Sequence, residues 1–173
     1  QCDSCIGSKT SINFGAYKNQ LGGFYPPTAV FIDLQFLNTL PPREIRSGLG
    51  EMLHYFLVNG DSDLAWAEDR LPRAFASRAV LGEMIRRSLA IKKEMIERDE
   101  FDEGPRAVFN YGHSFGHALE STTGYAVPHG IAVAYGMDLA NLLSVDRGLV
   151  PPDWRNRVRS ALAHVWRDTV LPE

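Results

Sequence analysis

The apolar residues of this chain change their spacing at Pro41-Pro42 and keep the new spacing to the end. Ile45, Leu49, Met52, Leu53 and Phe56 recur at helical intervals, which places them on one side of an α-helix. The proline pair marks its start and Asn59-Gly60 its stop. The same reading predicts a short helix over Asp61 to Leu71, a long one over Ser77 to Arg98, another over Arg106 to Thr122 and a fourth over His129 to Arg147, ended by Gly148. Asp153 is then expected to cap an amphipathic helix carrying Trp154, Val158, Ala161, Leu162 and Val165. Before Pro41 the chain is rich in Gly, Ser, Asn and aromatic residues, and one β-branched run, Ala29 to Ile32, is expected as a strand. The expected fold is mainly α, with a β-containing segment over 1–41 followed by an all-helical domain over 42–173.

A chain of 173 residues, 45% hydrophobic and 23% charged, is long enough to bury a real core. Lys and Arg total 18 against 21 Asp and Glu, a net charge of −3, so no basic excess exists to neutralise a phosphate backbone and nucleic acid is not an expected partner. No apolar run approaches the roughly 18 to 20 residues of a membrane span, and no charged stretch precedes an apolar one at the start, so neither insertion nor secretion is expected. Cys2 and Cys5 form one CxxC with no second pair, which is neither a disulfide framework nor a four-thiolate zinc site; a reducing, cytoplasmic setting fits best. The chain opens on Gln1, and its first dozen residues read like the middle of a protein, so a fragment is expected.

The chemistry concentrates in Arg106 to Glu120, RAVFNYGHSFGHALE, where a single helix would align Arg106, Asn110, His113, His117 and Glu120 along one side. Gly112 and Gly116 precede the two histidines. Interior helical glycine costs about 1 kcal/mol against alanine, so the pair points to close approach by a ligand or another backbone. A tight helix crossing with two hydrogen-bonded histidines accounts for the pattern equally well. His129 opens a helix, where the dipole disfavours imidazolium and leaves a lone pair for a metal. Glu51, among apolar neighbours, is a candidate carboxylate, and two histidines with one glutamate leave a tetrahedral ion an open position. Lys92 falls on the apolar stripe of its helix, where it either snorkels or meets an anion in a cleft. The run Asp99 to Glu103 reads as a solvated acidic turn. Glycines, lysines and amides over Asp3 to Thr10 and Lys18 to Gly23 suit polar ligands, as surface turns also would.

Taken together, DSCIGSKTSIN (3–13), YKNQLGGFYPP (17–27), TLPPREIRSGLGE (39–51), IKKEMIERDE (91–100), RAVFNYGHSFGHALE (106–120) and His129-Gly130 resemble the dehydroquinate synthase family of sugar-phosphate cyclases, in that family's order. The resemblance implies a nucleotide-binding α/β domain, of which 1–41 would be the tail, and a helical metal- and substrate-binding domain. It implies NAD and zinc, or cobalt, as cofactors, a sugar-phosphate substrate and a homodimer. By carry-over Glu51, His113 and His129 match the metal ligands. Lys9, Lys92, Arg106, Asn110 and His117 match substrate positions, and Asp3, Lys9, Lys18, Asn19, Thr39, Leu40 and Glu44 match positions beside the substrate or cofactor. The implied reaction converts 3-deoxy-arabino-heptulosonate 7-phosphate to 3-dehydroquinate with loss of phosphate, a step of the shikimate pathway.

The sequence departs from the family's usual pattern at three places. His54 stands three residues after Glu51, where lysine is usual; as a fourth metal ligand, a substituted polariser or a mark of changed substrate or lost activity, it is a further candidate site residue. Asp102 stands where glutamate is common, and Ser8 replaces a glycine beside Lys9. His117 argues against the relatives acting on sedoheptulose 7-phosphate, which typically lose that histidine. The full set of Lys9, Lys92, Arg106 and Asn110 favours a carboxylate-bearing substrate over the glucose 6-phosphate of 2-deoxy-scyllo-inosose synthase-like enzymes. A relative of altered substrate, a degenerate non-catalytic relative and a helical metallohydrolase are the competing readings.

Overall fold

A computed structural model describes residues 3–15 and 17–172, with the side chains of Asn13 and Lys18 left out. Cys2 and the Lys18 side chain therefore lie outside the described residues. Strands β1 (Ile12–Phe14) and β2 (Tyr17–Leu21) form an antiparallel hairpin, pairing Ile12 with Leu21 and Phe14 with Tyr17, and a bridge between Lys9 and Phe24 continues it. After a 3-10 turn at Leu34–Asn38 come, among the described residues, six α-helices: α1 (Pro42–Asn59), α2 (Asp61–Ala74), α3 (Arg78–Arg98), α4 (His113–Thr122), α5 (His129–Asp146) and α6 (Pro152–Trp166). The chain is thus mainly α with a short β-containing start.

The strand expected at Ala29 to Ile32 does not form; the segment is irregular, and Phe31 is 94% exposed. Its apolar residues satisfy β propensity, but a strand also needs a partner for its backbone groups, and among the described residues none lies alongside.

The helices follow their local signals. Pro42 opens α1 at the first helical position, where its missing N–H costs nothing, and Gly60, with φ 122°, ends it. Ser77 accepts from the Val80 amide and caps α3. Asp153 lies in the first turn of α6 rather than at its cap, which is Pro151. α1 and α5 form the centre. The first half of α5 is buried almost all round, from Gly130 to Ala134, as a helix with neighbours on every side must be. Phe56, Leu53, Met84, Ile131, Met137 and Leu162 fill the core between α1, α3, α5 and α6. Arg157 bonds Glu68 and Asp61, tying α6 to α2. No helix among the described residues is long and apolar enough to cross a membrane.

The helix expected over Arg106 to Thr122 is two pieces, a 3-10 segment at Pro105–Asn110 and α4, broken at Gly112 with φ 77°. A Cβ on Gly112 would lie 2.5 Å from the Met137 side chain and 3.1 Å from the Val133 carbonyl oxygen, so the break is set by close packing on α5. That contact outweighs the few tenths of a kcal/mol per residue by which helix propensity favours continuity.

Candidate metal centre

Glycine brings three helices into backbone contact, α1 on α5 at Gly130 and α4 on α5 at Gly136. A Cβ on Gly130 would sit 1.8 Å from the Ser47 carbonyl oxygen, and one on Gly50 would sit 2.1 Å from that of Gly130, so α1 and α5 touch without side chains between them. The Gly130 amide donates to Ser47 Oγ at 2.9 Å. Gly136 meets Gly112 in the same way, which seats α4 on α5. Glu51 of α1, His113 at the start of α4 and His129 at the start of α5 converge as a result.

Glu51 Oε1 lies 3.7 Å from His113 Nε2, and Oε2 lies 3.5 Å from His129 Nε2. One ligand atom from each of the three residues falls within 4.8 Å of the others. Both rings are anchored from behind: His113 Nδ1 faces the Tyr111 carbonyl oxygen at 3.2 Å, and His129 Nδ1 faces Glu120 Oε2 at 3.1 Å. A carbonyl only accepts, so the contact places a proton on His113 Nδ1 and turns Nε2 to Glu51, where it can meet a cation. That is how metal-ligating histidines are held. Glu51 is buried, and its Oε2 has no hydrogen-bond partner among the described residues, since 3.5 Å is too long for one. Two imidazole nitrogens and an orphaned carboxylate oxygen fit a divalent cation of the zinc or cobalt type.

Burial pushes the Glu51 carboxyl up, but the His129 contact and the neighbouring imidazole charges outweigh it and hold it at about 2. Burial likewise disfavours a charged His129, yet Glu120 and Glu51 together hold its pKa up at about 9. The neutral ring expected from the helix dipole is therefore overruled by two carboxylates, and a cation binding Nε2 must displace a proton. A cleft of about 390 Å³ opens on Glu51 and His129 and is also lined by Asp3, Arg43 and Glu44.

His54 is fully buried, its ring 5.0 Å from that of His113 and packed among Tyr55, Phe109 and Tyr111. Neither ring nitrogen has a hydrogen-bond partner among the described residues, and neither belongs to the ligand group. Burial lowers its pKa to about 4, against the charge of Glu51, so the ring is neutral at pH 7. His117 is exposed, with its ring 5.5 Å from His113 and 5.6 Å from His129.

The cations expected around the site are held by the protein itself. Lys92 is 7% exposed and meets an anion rather than snorkelling: Nζ donates to Asp3 Oδ2 and to the Asp3 carbonyl oxygen, both at 2.9 Å. Tyr55 donates to the same Asp3 carboxylate at 2.7 Å. Lys9 Nζ bonds Asp102 Oδ2 at 2.5 Å. Arg106 donates to the carbonyl oxygens of Gly7 and Glu100. Ser8, at φ 64°, occupies a conformation that favours glycine, and its hydroxyl donates to Glu100 at 3.0 Å. Asn110 and Asn19 are exposed, Asn19 on the hairpin with φ 55°. Thr39 lies exposed after the 3-10 turn, while Leu40 and Glu44 line a second cavity of about 550 Å³. Of these residues only Asp3 and Glu44 share the cleft of Glu51 and His129.

The acidic run is an organised loop. Asp99 accepts from the amides of Glu103, Gly104 and Arg106, each at 2.9 Å, and these bonds, that from Glu103 foremost, lower its pKa. A carboxyl lowered on folding stabilises above its ordinary pKa of 3.8 and ceases to as pH falls into the depressed range. Asp99→Asn should therefore speed hydrogen exchange at the Glu103, Gly104 and Arg106 amides at pH 7, with parent and variant converging as the parent Asp99 protonates. Equal exchange at pH 7 would show that the carboxylate does not order the loop.

The family described as 3-dehydroquinate synthase C-terminal matches residues 48–172, and that described as 3-dehydroquinate synthase N-terminal matches residues 1–47. The chain belongs to the 3-dehydroquinate synthase family. Members include the 3-dehydroquinate synthase of Bartonella tribocorum, 42% identical over 176 residues covering 100% of this chain and 47% of that protein. That of Cereibacter sphaeroides is 44% identical over 94% of this chain and 44% of its own length. The chain thus spans about half the length of the curated relatives it matches. Among solved structures, 2-deoxy-scyllo-inosose synthase complexed with carbaglucose-6-phosphate, NAD+ and Co2+ superposes with a TM-score of 0.90 at 28% identity, over 99% of this chain and 48% of that one. ValA, the 2-epi-5-epi-valiolone synthase of Streptomyces hygroscopicus with NAD+ and Zn2+ bound, gives 0.83 at 30%, over the same shares. Family membership rests on motifs legible in the sequence; the bonds of Tyr55 to Asp3 and of Ser8 to Glu100 were not legible, because they join residues 52 and 92 positions apart, whereas the bonds that Asp99 accepts are local to its loop.

Proposed function

We propose that the protein containing this chain is a 3-dehydroquinate synthase-like cyclase, converting 3-deoxy-arabino-heptulosonate 7-phosphate to 3-dehydroquinate with elimination of phosphate. The observation that carries the proposal is the Glu51, His113 and His129 group, with both rings anchored through Nδ1, opening on a cleft in a chain of this family. Those three residues would hold zinc or cobalt, which when bound supplies a Lewis acid for a substrate oxygen. Thr39, Leu40, Glu44 and the Lys18-Asn19 segment would hold NAD, which when bound would supply a transient hydride acceptor.

The chain's own residues bind and orient. Lys9, Lys92 and Arg106 hold the substrate carboxylate and neighbouring oxygens with charge-assisted hydrogen bonds, aided by Asn110. Asn19 and His117 take the phosphate side and place it as the leaving group. Lys92 exchanges its Asp3 contact for the substrate's anionic group, which keeps the ammonium compensated throughout. His54 enters as a neutral group behind His113. The proposal takes residues 1–41 as nucleotide-side and 42–173 as metal- and substrate-side, supported by α1 starting at Pro42; the two family descriptions meet six residues later. A homodimer in a reducing cytoplasm, and inactivity of the chain by itself, belong to the same proposal.

The test is phosphate release from 3-deoxy-arabino-heptulosonate 7-phosphate by the full-length, zinc-loaded protein with NAD+, with 3-dehydroquinate identified as product. Release with that product is expected. Binding of one metal and one NAD+ without release would transfer the proposal to another sugar phosphate, and absence of metal would leave a non-catalytic relative.

A further inference from the structure

Glu120 sat in the polar stripe of the sequence without a role. Its side chain is buried, the residue being 5% exposed, on the last turn of α4, and Oε2 lies 3.1 Å from His129 Nδ1. Nothing in the core chemistry of a helix end calls for a buried carboxylate, and burying one without a partner is costly. Its position is over-determined by neighbours: its carbonyl oxygen accepts from the Tyr125 amide at 2.7 Å, and Tyr125, at φ 62°, turns the chain back towards His129.

We infer that Glu120 is a positioning residue for the metal centre, fixing the tautomer and rotation of His129 so that Nε2 faces Glu51. The inference rests on the assignment of Glu51, His113 and His129 as ligands. With a carboxylate accepting from Nδ1–H, the proton that a bound cation displaces is the one on Nε2, and that nitrogen becomes the better donor. His113 receives the weaker version of the same support, from the neutral Tyr111 carbonyl. The two rings therefore differ, with His129 carrying the charged backing and the stronger donor nitrogen. Glu120 and His117 also form a ligand-sized group with His129, but His129 directs Nδ1 to Glu120 and Nε2 to Glu51, so the ring serves the first group only while Glu120 holds the Nδ1 proton.

The experiment is a zinc affinity measured by chelator competition on the full-length protein, together with the Co2+ absorption spectrum and the melting temperature without metal. Glu120→Gln, which keeps shape and loses charge, should weaken zinc binding about 10-fold, and Glu120→Ala up to about 100-fold, the range for loss of an outer-sphere partner. Glu120→Asp should recover part of the loss, whereas Thr123→Ala, on the same turn but bonded only to backbone carbonyl oxygens, should bind zinc like the parent. A Glu120→Gln chain that melts lower but binds zinc and Co2+ unchanged would make Glu120 a packing residue and overturn the inference. His113→Ala is the check on the ligand assignment beneath it: zinc affinity unchanged in His113→Ala would overturn that assignment itself.

Discussion

Replacing His113 with alanine should abolish stoichiometric zinc binding, with a loss beyond the roughly 100-fold that bounds removal of an outer-sphere partner. His113 contributes a nitrogen already turned to Glu51 by the Tyr111 carbonyl, so its removal deletes a prepared ligand. The two remaining donors, Glu51 and His129, would still attract each other, and the fold should persist because the His113 side chain lies beside the core and not within it. Metal content after dialysis, read against a far-ultraviolet spectrum, checks both halves. A folded variant that retains one equivalent of zinc would remove His113 from the ligand set.

Gly130→Ala should destabilise the chain by about 3 kcal/mol, the upper end for overpacking, because the added methyl meets backbone that cannot turn aside. It would sit 1.8 Å from the Ser47 carbonyl oxygen, and relief requires α1 and α5 to part. Since Glu51 rides on α1 and His129 on α5, the same displacement should weaken metal binding. Gly48→Ala is the contrast: it lies on α1 with nothing within 4 Å of the added Cβ, and should gain up to about 1 kcal/mol from helix propensity. Denaturant midpoints for the two variants that move in the same direction would refute the packing argument.

The helices were legible where local signals agree. Pro42, Gly60, Ser77 and Gly148 mark ends that can be read without knowing the neighbours, and the stripe of α6 matches its buried residues, whereas α1 is buried all round from Leu49 to Phe56. The candidate group was legible in part: His129 opens its helix where the sequence places it, but His113, expected inside a longer helix, opens α4 because of the break at Gly112. What could not be read depends on distant partners. The strand at Ala29 to Ile32 needed a neighbour; the break at Gly112 needed Met137 and Val133. The Tyr55 bond to Asp3 and the Lys9 bond to Asp102 span 52 and 93 positions, and periodicity carries no information about either. The anchors Tyr111 and Glu120 differ again: both are close in sequence to the ligands, but only the helix break and the turn at Tyr125 aim them at the rings.

The break at Gly112 has a consequence for anyone reading related sequences. Were residues 106 to 122 one continuous helix, His113 and His117 would keep their order and spacing, yet Tyr111 would lie within the helix and its carbonyl would be drawn into the helical ladder. The break instead leaves that carbonyl beside His113 Nδ1. Two histidines one turn apart are therefore a poor marker of this centre. The sharper marker is the glycine immediately before the first of them, and a homologue that keeps both histidines but has a bulky residue there should be sorted apart.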